Sequence, residues 1–191
     1  MRKILFSLFL LTCFYLLWPY IAVFSLYICL QTGDAAGVEK RVDWFTMKKY
    51  LRVDLDNFVY FKLKQSLEQK KIQMNFDSLT LSKQISDKIA TPTGLIYLFN
   101  KPNEFFEQIS QIFSNALSPE NIKPPVPNKK AFRPEGPNFP DMFDRIKYAF
   151  FIKPNKFRLS FNKGDLSFIL EWRLQDFSWK LDRLKIPIKT N

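Results

Sequence analysis

From Ile4 to Leu30 the chain carries 27 consecutive residues without a charged side chain, preceded by Met1, Arg2 and Lys3. Charged groups are costly in hydrocarbon, so an apolar run of this length reads as a segment that enters a bilayer. As a helix it would be about 40 Å long, against a hydrocarbon core of about 30 Å. A cleavable signal has a shorter apolar stretch, about 7–15 residues, ending in a small-x-small site. Here Tyr20 would sit in the small position before Ala22, and Gly33-Asp34-Ala35 comes after too long a run. Thr12 opposes a lipid-modified cysteine at Leu10-Leu11-Thr12-Cys13, where a smaller residue is expected. The reading is an uncleaved signal anchor over residues 1–23, with residues 4–23 in contact with lipid. The basic residues ahead of the run put the N-terminus in the cytoplasm and the remainder outside it.

Trp18-Pro19-Tyr20 interrupts this run. Proline inside a helix removes a hydrogen bond and kinks it, and Trp and Tyr favour membrane interfaces. The run therefore divides into a span up to about Trp18 and a helix from Pro19 to Thr32 that belongs to the following domain, residues 19–191. In that reading Phe24, Tyr27, Ile28 and Leu30 are protein core.

The apolar run holds both cysteines, Cys13 and Cys29, so the rest of the chain can form no internal disulfide. The chain has no histidine, which removes His-based general bases, triads and metal ligands together. The net charge of +11 comes from lysines spread along the chain, the pattern of a solvated surface.

Gly33 suits the left-handed position that ends a helix, and Asp34 caps a short helix through Arg41. Asp43 caps a longer one from Trp44 to about Lys71, with Met47, Leu51, Leu55, Phe58, Val59, Leu63 and Leu67 on one face. A helix from Phe76 to about Ala90 follows, with Leu79, Leu81, Ile85 and Ile89 apolar. Thr91-Pro92 then pairs a cap with proline at the first helical position, and a further helix covers Glu104 to Leu117. Residues 118–140 hold seven prolines and read as an extended loop.

The C-terminal quarter alternates. Ile146, Tyr148, Phe150, Ile152; Phe157, Leu159, Phe161; Leu166, Phe168, Leu170, Trp172, Leu174; and Phe177, Trp179, Leu181 predict four antiparallel strands in hairpin order. Two-residue turns at Pro154-Asn155, Lys163-Gly164 and Gln175-Asp176 would pair Ile152 with Phe157, Phe161 with Leu166, and Trp172 with Trp179, with all apolar residues on one face. Glu171 would then face Lys156 and Lys180. The apolar parity changes between Leu181 and Leu184, which predicts a β-bulge near Asp182-Arg183.

Trp18-Pro19-Tyr20, Thr32-Gly33-Asp34-Ala35-Ala36, Val42-Asp43-Trp44, Thr91-Pro92-Thr93-Gly94-Leu95 and Leu170-Glu171-Trp172-Arg173 with Trp179-Lys180-Leu181 occur in this order, and together the sequence resembles the bacterial domain-of-unknown-function 2939 family. The resemblance implies a small, N-terminally anchored bacterial protein with a helical half and a terminal antiparallel sheet. It brings no activity and no catalytic residue.

The sequence has no Walker loop, G-x-G-x-x-G, C-x-x-C or H-E-x-x-H. Ser82-Lys83, and Ser66 near Lys62 or Lys70, could form a Ser–Lys dyad only by proximity in sequence, and an exposed helical serine is the simpler reading. Asp54 and Asp56 are two apart on a helix and do not face each other. Asp141 and Asp144 could share a metal, but capping or solvated acids explain them as well. No catalytic, cofactor-binding or metal residue is assigned, and no cofactor is expected. The expected fold is α+β: an N-terminal membrane anchor helix, a helical half, then a C-terminal four-stranded antiparallel meander. The function read from this is a non-catalytic binding or interaction module anchored in the bacterial inner membrane by a single pass. Its partners would be the bilayer and an envelope protein or hydrophobic ligand, with nucleic acid disfavoured by the extracytoplasmic placement. The alternatives are an envelope hydrolase of unfamiliar type, or an anionic-lipid-binding protein acting through basic helix faces.

Overall fold

A computed structural model describes residues 2–56, 78–105, 107–108, 136–163 and 166–185. Helix α1, Arg2–Thr32, is followed by α2, Ala35–Arg41. Helix α3 covers residues 44–56, α4 Ser78–Ile89 and α5 Pro92–Asn100; residues 102–105 are helical again (α6). Helix α7, Phe139–Arg145, leads into strands β1 Ile146–Lys153, β2 Lys156–Lys163, β3 Leu166–Gln175 and β4 Ser178–Lys185. The strands form one antiparallel sheet in the order β1-β2-β3-β4, and the architecture is α+β as expected.

α1 differs from expectation in running unbroken through Pro19. Proline there removes the bond to the carbonyl four residues earlier, but its ring is buried, so packing holds the helix across the missing bond. From Tyr15 onward the helix lies on the domain. The Tyr15 hydroxyl donates to the Pro154 carbonyl, and its ring stacks on Phe151 at 5.9 Å. Tyr20 donates to the Ala149 carbonyl (3.0 Å) and meets Phe157 edge-on at 4.8 Å. Val23, Leu26, Cys29 and Leu30 are buried, and Tyr27 donates to the Asn138 carbonyl at 2.9 Å. Of the expected core residues, Leu30 is buried and Tyr27 and Ile28 are half-buried, whereas Phe24 is exposed: it falls two residues before Leu26, on the helix's other side.

The helix ends are built as the turn residues require. Gly33 has φ 73°, and the Asp34 amide donates to the Cys29 carbonyl (2.9 Å), the six-to-one bond of a Schellman motif. Asp34 accepts from the Gly37 amide and caps α2. Arg41 reaches back from α2 to the Ser25 hydroxyl of α1 (2.6 Å). Asp43 caps α3 by accepting from the Thr46 amide (3.1 Å), and its own amide donates to the Leu181 carbonyl (2.9 Å). Val42 thus forms a parallel bridge to Leu181 that covers part of the outer edge of β4. Met47, Leu51 and Leu55 are buried as the periodicity predicts, as are Ile85 and Ile89 of α4. Phe58, Val59, Leu63 and Leu67, the serine–lysine candidates Ser66, Lys62 and Lys70, and most of the helix expected over Glu104–Leu117 lie outside the described residues. So does 118–135 of the Pro-rich stretch; its last residues, from Phe139, already form α7.

The sheet is a meander with its core face as predicted in β2 to β4, but each register is shifted. β2 and β3 pair Phe161 with Phe168 and Phe157 with Trp172, which moves the connection to residues 164–165, outside the described residues. β3 and β4 pair Leu174 with Trp179 and Trp172 with Leu181, so the two tryptophans are diagonal neighbours and do not face each other. The turn there is Asp176-Phe177, both at positive φ (45° and 55°), and needs no glycine. Phe177, expected on the apolar face of the fourth strand, is instead exposed in this turn, because the shifted register starts β4 at Ser178. A two-residue hairpin turn of this kind matches the strand twist. The predicted bulge is present: Trp172 pairs with Leu181 and Glu171 with Arg183, leaving Asp182 as the extra residue.

β1 departs most. Phe151, not Ile152, faces Phe157, and Ala149, not Phe150, faces Leu159. Irregularities near both ends of the strand turn its middle over. Phe151 gains Tyr15, Phe157 and Trp179 as ring neighbours, at 5.6–5.9 Å. Tyr148 and Phe150 are left exposed on the opposite face.

Candidate functional site

Between α1, α5, α7 and the core face of the sheet lies a cavity of about 660 Å³. Its walls are apolar: Leu26 and Leu30 from α1, Phe99 from α5, Met142 from α7, and Leu159, Phe161, Leu170 and Trp172 from the sheet. Gln31, Asn100, Lys101 and Arg145 contribute polar groups to the lining. The Asn100 amide donates to the Leu30 and Ile96 carbonyls, both at 2.8 Å, which ties the end of α5 to the end of α1. Lys101 is engaged by Glu104 at 2.7 Å, and Arg145 adds a second cation to the lining. Trp172 is 1% exposed, and its indole N–H finds no acceptor among the described residues. A buried unsatisfied donor of this kind requires an explanation, such as water or a ligand. Trp172 follows the alternation of β3, so its place in the wall was legible in the sequence; Arg145 and Asn100 gave no such signal.

A second group of polar residues, missed in the sequence, lies on the other face of the sheet. The bulged Asp182 is fully buried and pairs with Arg173 Nε at 2.8 Å. Burial pushes its carboxyl up, opposed by Arg173 and Lys156. Glu171, also buried, accepts from Arg158 at 2.7 Å, not from Lys156 or Lys180; those two flank Arg173 in the register. Arg183 binds Asp54 at 2.9 Å and lies over the Tyr50 ring of α3 at 4.8 Å. Alternating acid and base across neighbouring strands makes this an internal ion-pair ladder, with each charge directed at another side chain.

Among the described residues, those weighed for catalysis are not brought together. Ser82 is buried and Lys83 exposed, so adjacent helix positions separate the pair, and the serine is not the exposed one expected. Asp54 is committed to Arg183, and Asp144 is exposed on α7. Among the described residues no group of three or more His, Cys, Asp or Glu could hold a metal ion.

The motif residues prove to be architectural. A Cβ on Gly94 would lie 2.1 Å from the Lys88 carbonyl oxygen and 3.0 Å from that of Ile89, so only glycine lets α5 start against the end of α4. Thr91 caps α5 by accepting from the Gly94 amide at 3.0 Å. A Cβ on Gly37 would meet the capping carboxylate of Asp34 at 2.1 Å and Cys29 Sγ at 2.6 Å. Burial raises the Asp43 carboxyl, but hydrogen bonds from Thr46 and Gln175 outweigh it and leave it below its ordinary value.

α1 is also long and apolar enough to cross a membrane, as a membrane anchor or a signal sequence would be, with a mean hydropathy of 2.0 and 6% of its most apolar window buried. No curated protein and no solved structure matches the chain. Residues 8–98, from α1 to α5, match the model of the family described as "Protein of unknown function (DUF2939)", so the helical half of the chain is similar to that family.

Proposed function

We propose that the protein is a non-catalytic binding module of the bacterial cell envelope, held in the inner membrane by α1 with its domain on the periplasmic side. The observation that carries the binding role is the cavity: a largely apolar lining that also holds two cations and amide groups, with an unsatisfied indole N–H in the wall. Ligand sites have this character, a mostly apolar enclosure with a few orienting polar groups. The ligand class that fits is an amphiphile with an apolar body and an acidic head, the head lying toward the cations of the lining, Lys101 and Arg145. The membrane placement is supported by the exposed apolar surface of α1 and by Arg2-Lys3 ahead of it.

The test is photo-crosslinking of a diazirine-bearing fatty acid to the full chain in lipid nanodiscs, with the labelled peptides mapped by mass spectrometry. Label is expected on the α1 segment around Leu26–Gln31 and on α7. Leu170→Trp, which fills the cavity, should abolish it, and Arg145→Gln should weaken it more for the acid than for the matching alcohol. Labelling confined to residues 4–23, unchanged in Leu170→Trp, would rule the cavity out as a site.

A further inference from the structure

Both hairpin tips of the meander lie at one end of the sheet. β1 runs toward Pro154-Asn155 and β3 toward Asp176-Phe177; because neighbouring strands alternate in direction, the two turns fall on the same side. The Leu174 amide donates to the Asn155 carbonyl at 3.0 Å and ties the tips together. α1 passes this end at Tyr15, whose hydroxyl bonds the Pro154 carbonyl.

The helix beyond Tyr15 comprises residues 2–14. At 1.5 Å per residue it reaches about 20 Å, roughly 10 Å less than the hydrocarbon core. A span this short is accommodated by local thinning of the bilayer, which draws the interface toward Tyr15. The next turns of α1 are held against the sheet, by Tyr15 at Pro154 and by Tyr20 at Ala149. An interface that reaches Tyr15 therefore also meets the tips.

The tips are built for such a meeting. Phe177 is 86% exposed and sits at φ 55°, where a side chain is strained and Gly or Asn is usual. Phe150 and Tyr148 are exposed at 60% and 43% along the edge strand that leads to the first tip. Lys153 and Lys156 flank that tip and can direct their charge toward headgroups while their stems lie along apolar surface. Asp176 shares the second tip, so the contact is one of aromatic insertion and does not require anionic lipid.

We infer that the two hairpin tips, led by Phe177 and Phe150, are immersed in the interfacial layer of the bilayer that α1 crosses, so that the domain meets the membrane at two further points besides its helix. This rests on the anchor reading of α1, and the experiment separates the two. The full chain carrying Cys13→Ser and Cys29→Ser is given one cysteine at a time, as Leu8→Cys, Asn155→Cys, Phe177→Cys or Asp144→Cys, and each is labelled with an environment-sensitive fluorophore. The protein is reconstituted in phosphatidylcholine vesicles containing lipid with a shallow or a deep nitroxide, and iodide is the aqueous quencher. Leu8 should be quenched by the deep nitroxide. Asn155 and Phe177 should be quenched by the shallow one, with iodide quenching about fivefold lower than at Asp144, on α7 at the far end of the sheet. Asn155→Cys keeps the native Phe177 ring, so it reads immersion without removing the group held responsible. Deep quenching at Leu8 with both tips as open to iodide as Asp144 would overturn immersion and leave the anchor standing. No lipid quenching at Leu8 would overturn the anchor, and immersion with it.

Discussion

Because α1 serves both as apolar run and as core element, where it is cut decides whether the domain survives. Consider two truncations, one beginning at Tyr15 and one at Gln31. The first removes Ile4, Leu5, Phe6, Leu8, Phe9, Leu10, Leu11 and Phe14, each more than half exposed. It keeps the ring stack of Tyr15 on Phe151 and everything after it. The second also removes Val23, Leu26 and Leu30, which are 7%, 1% and 3% exposed. At about 1.5–3 kcal/mol per buried aliphatic side chain, those three alone represent about 5–9 kcal/mol. The hydrogen bonds from Tyr20 and Tyr27 add about 0.5–1.5 kcal/mol each. A domain of this size has about 5–15 kcal/mol in total, so the second fragment should not fold. The assay is urea unfolding followed by tryptophan fluorescence; Trp44, Trp172 and Trp179 are present in both fragments. The fragment from Tyr15 should give one cooperative transition, and the fragment from Gln31 none. In the full chain, Leu26→Ala should cost about 2–5 kcal/mol, and Leu8→Ala close to nothing in detergent. A fragment Gln31–Asn191 that unfolds cooperatively, with a midpoint matching the longer one, would refute the assignment of α1 to the core.

Gly94→Ala should destabilise the fold by about 1–3 kcal/mol in the same unfolding assay, since the added Cβ meets the Lys88 and Ile89 carbonyls and these cannot rotate away. Asp176→Asn with Phe177→Gly should raise stability in detergent by about 1 kcal/mol by relieving two positive-φ side chains; loss of stability would show that Phe177 packs in solution. Asp43 has its folded value lowered, so what it contributes is present above the unfolded value of about 4 and is lost as pH falls through the folded one. Asp43→Asn keeps a capping side chain and should flatten the stability profile on that acid limb, read by denaturant midpoints against pH. Asp182 has the opposite sign: its folded value is raised, so the stability linked to it is present below the unfolded value and lost as pH rises through the folded one. Asp182→Asn should therefore gain on the native protein with rising pH; a gap independent of pH would contradict the buried charge.

What could be read from the sequence and what could not divides along one physical line. Signals closed within a few residues were legible: the Gly33 turn, the caps at Asp34, Asp43 and Thr91, and the alternation of the last three strands, each tied to one local conformation. The bulge at Asp182 was legible too, because a change of apolar parity has few other solutions. Register was not. Moving a pairing by two residues keeps every apolar side chain on the same face, so patterning cannot choose between Leu166 and Phe168 as the partner of Phe161. In β1 even the face was undetermined, since Phe150-Phe151-Ile152 offers an apolar residue to either side, and the choice fell to rings distant in sequence, Tyr15 and Trp179. Pro19 failed for the same reason: the local rule predicts a break, and burial against the domain overrides it. The cavity was invisible because its lining joins Gln31, Asn100 and Arg145 from three separate helices. Gly37, Gly94, Asp34 and Thr91 hold α1, α2, α4 and α5 against one another, so these local signals shape the helical wall of the cavity from a distance. Arg145, Met142 and the sheet residues of the lining lie outside the residues 8–98 that match the family model, so on the proposed binding role the cavity joins a wall inside the matched segment to one beyond it.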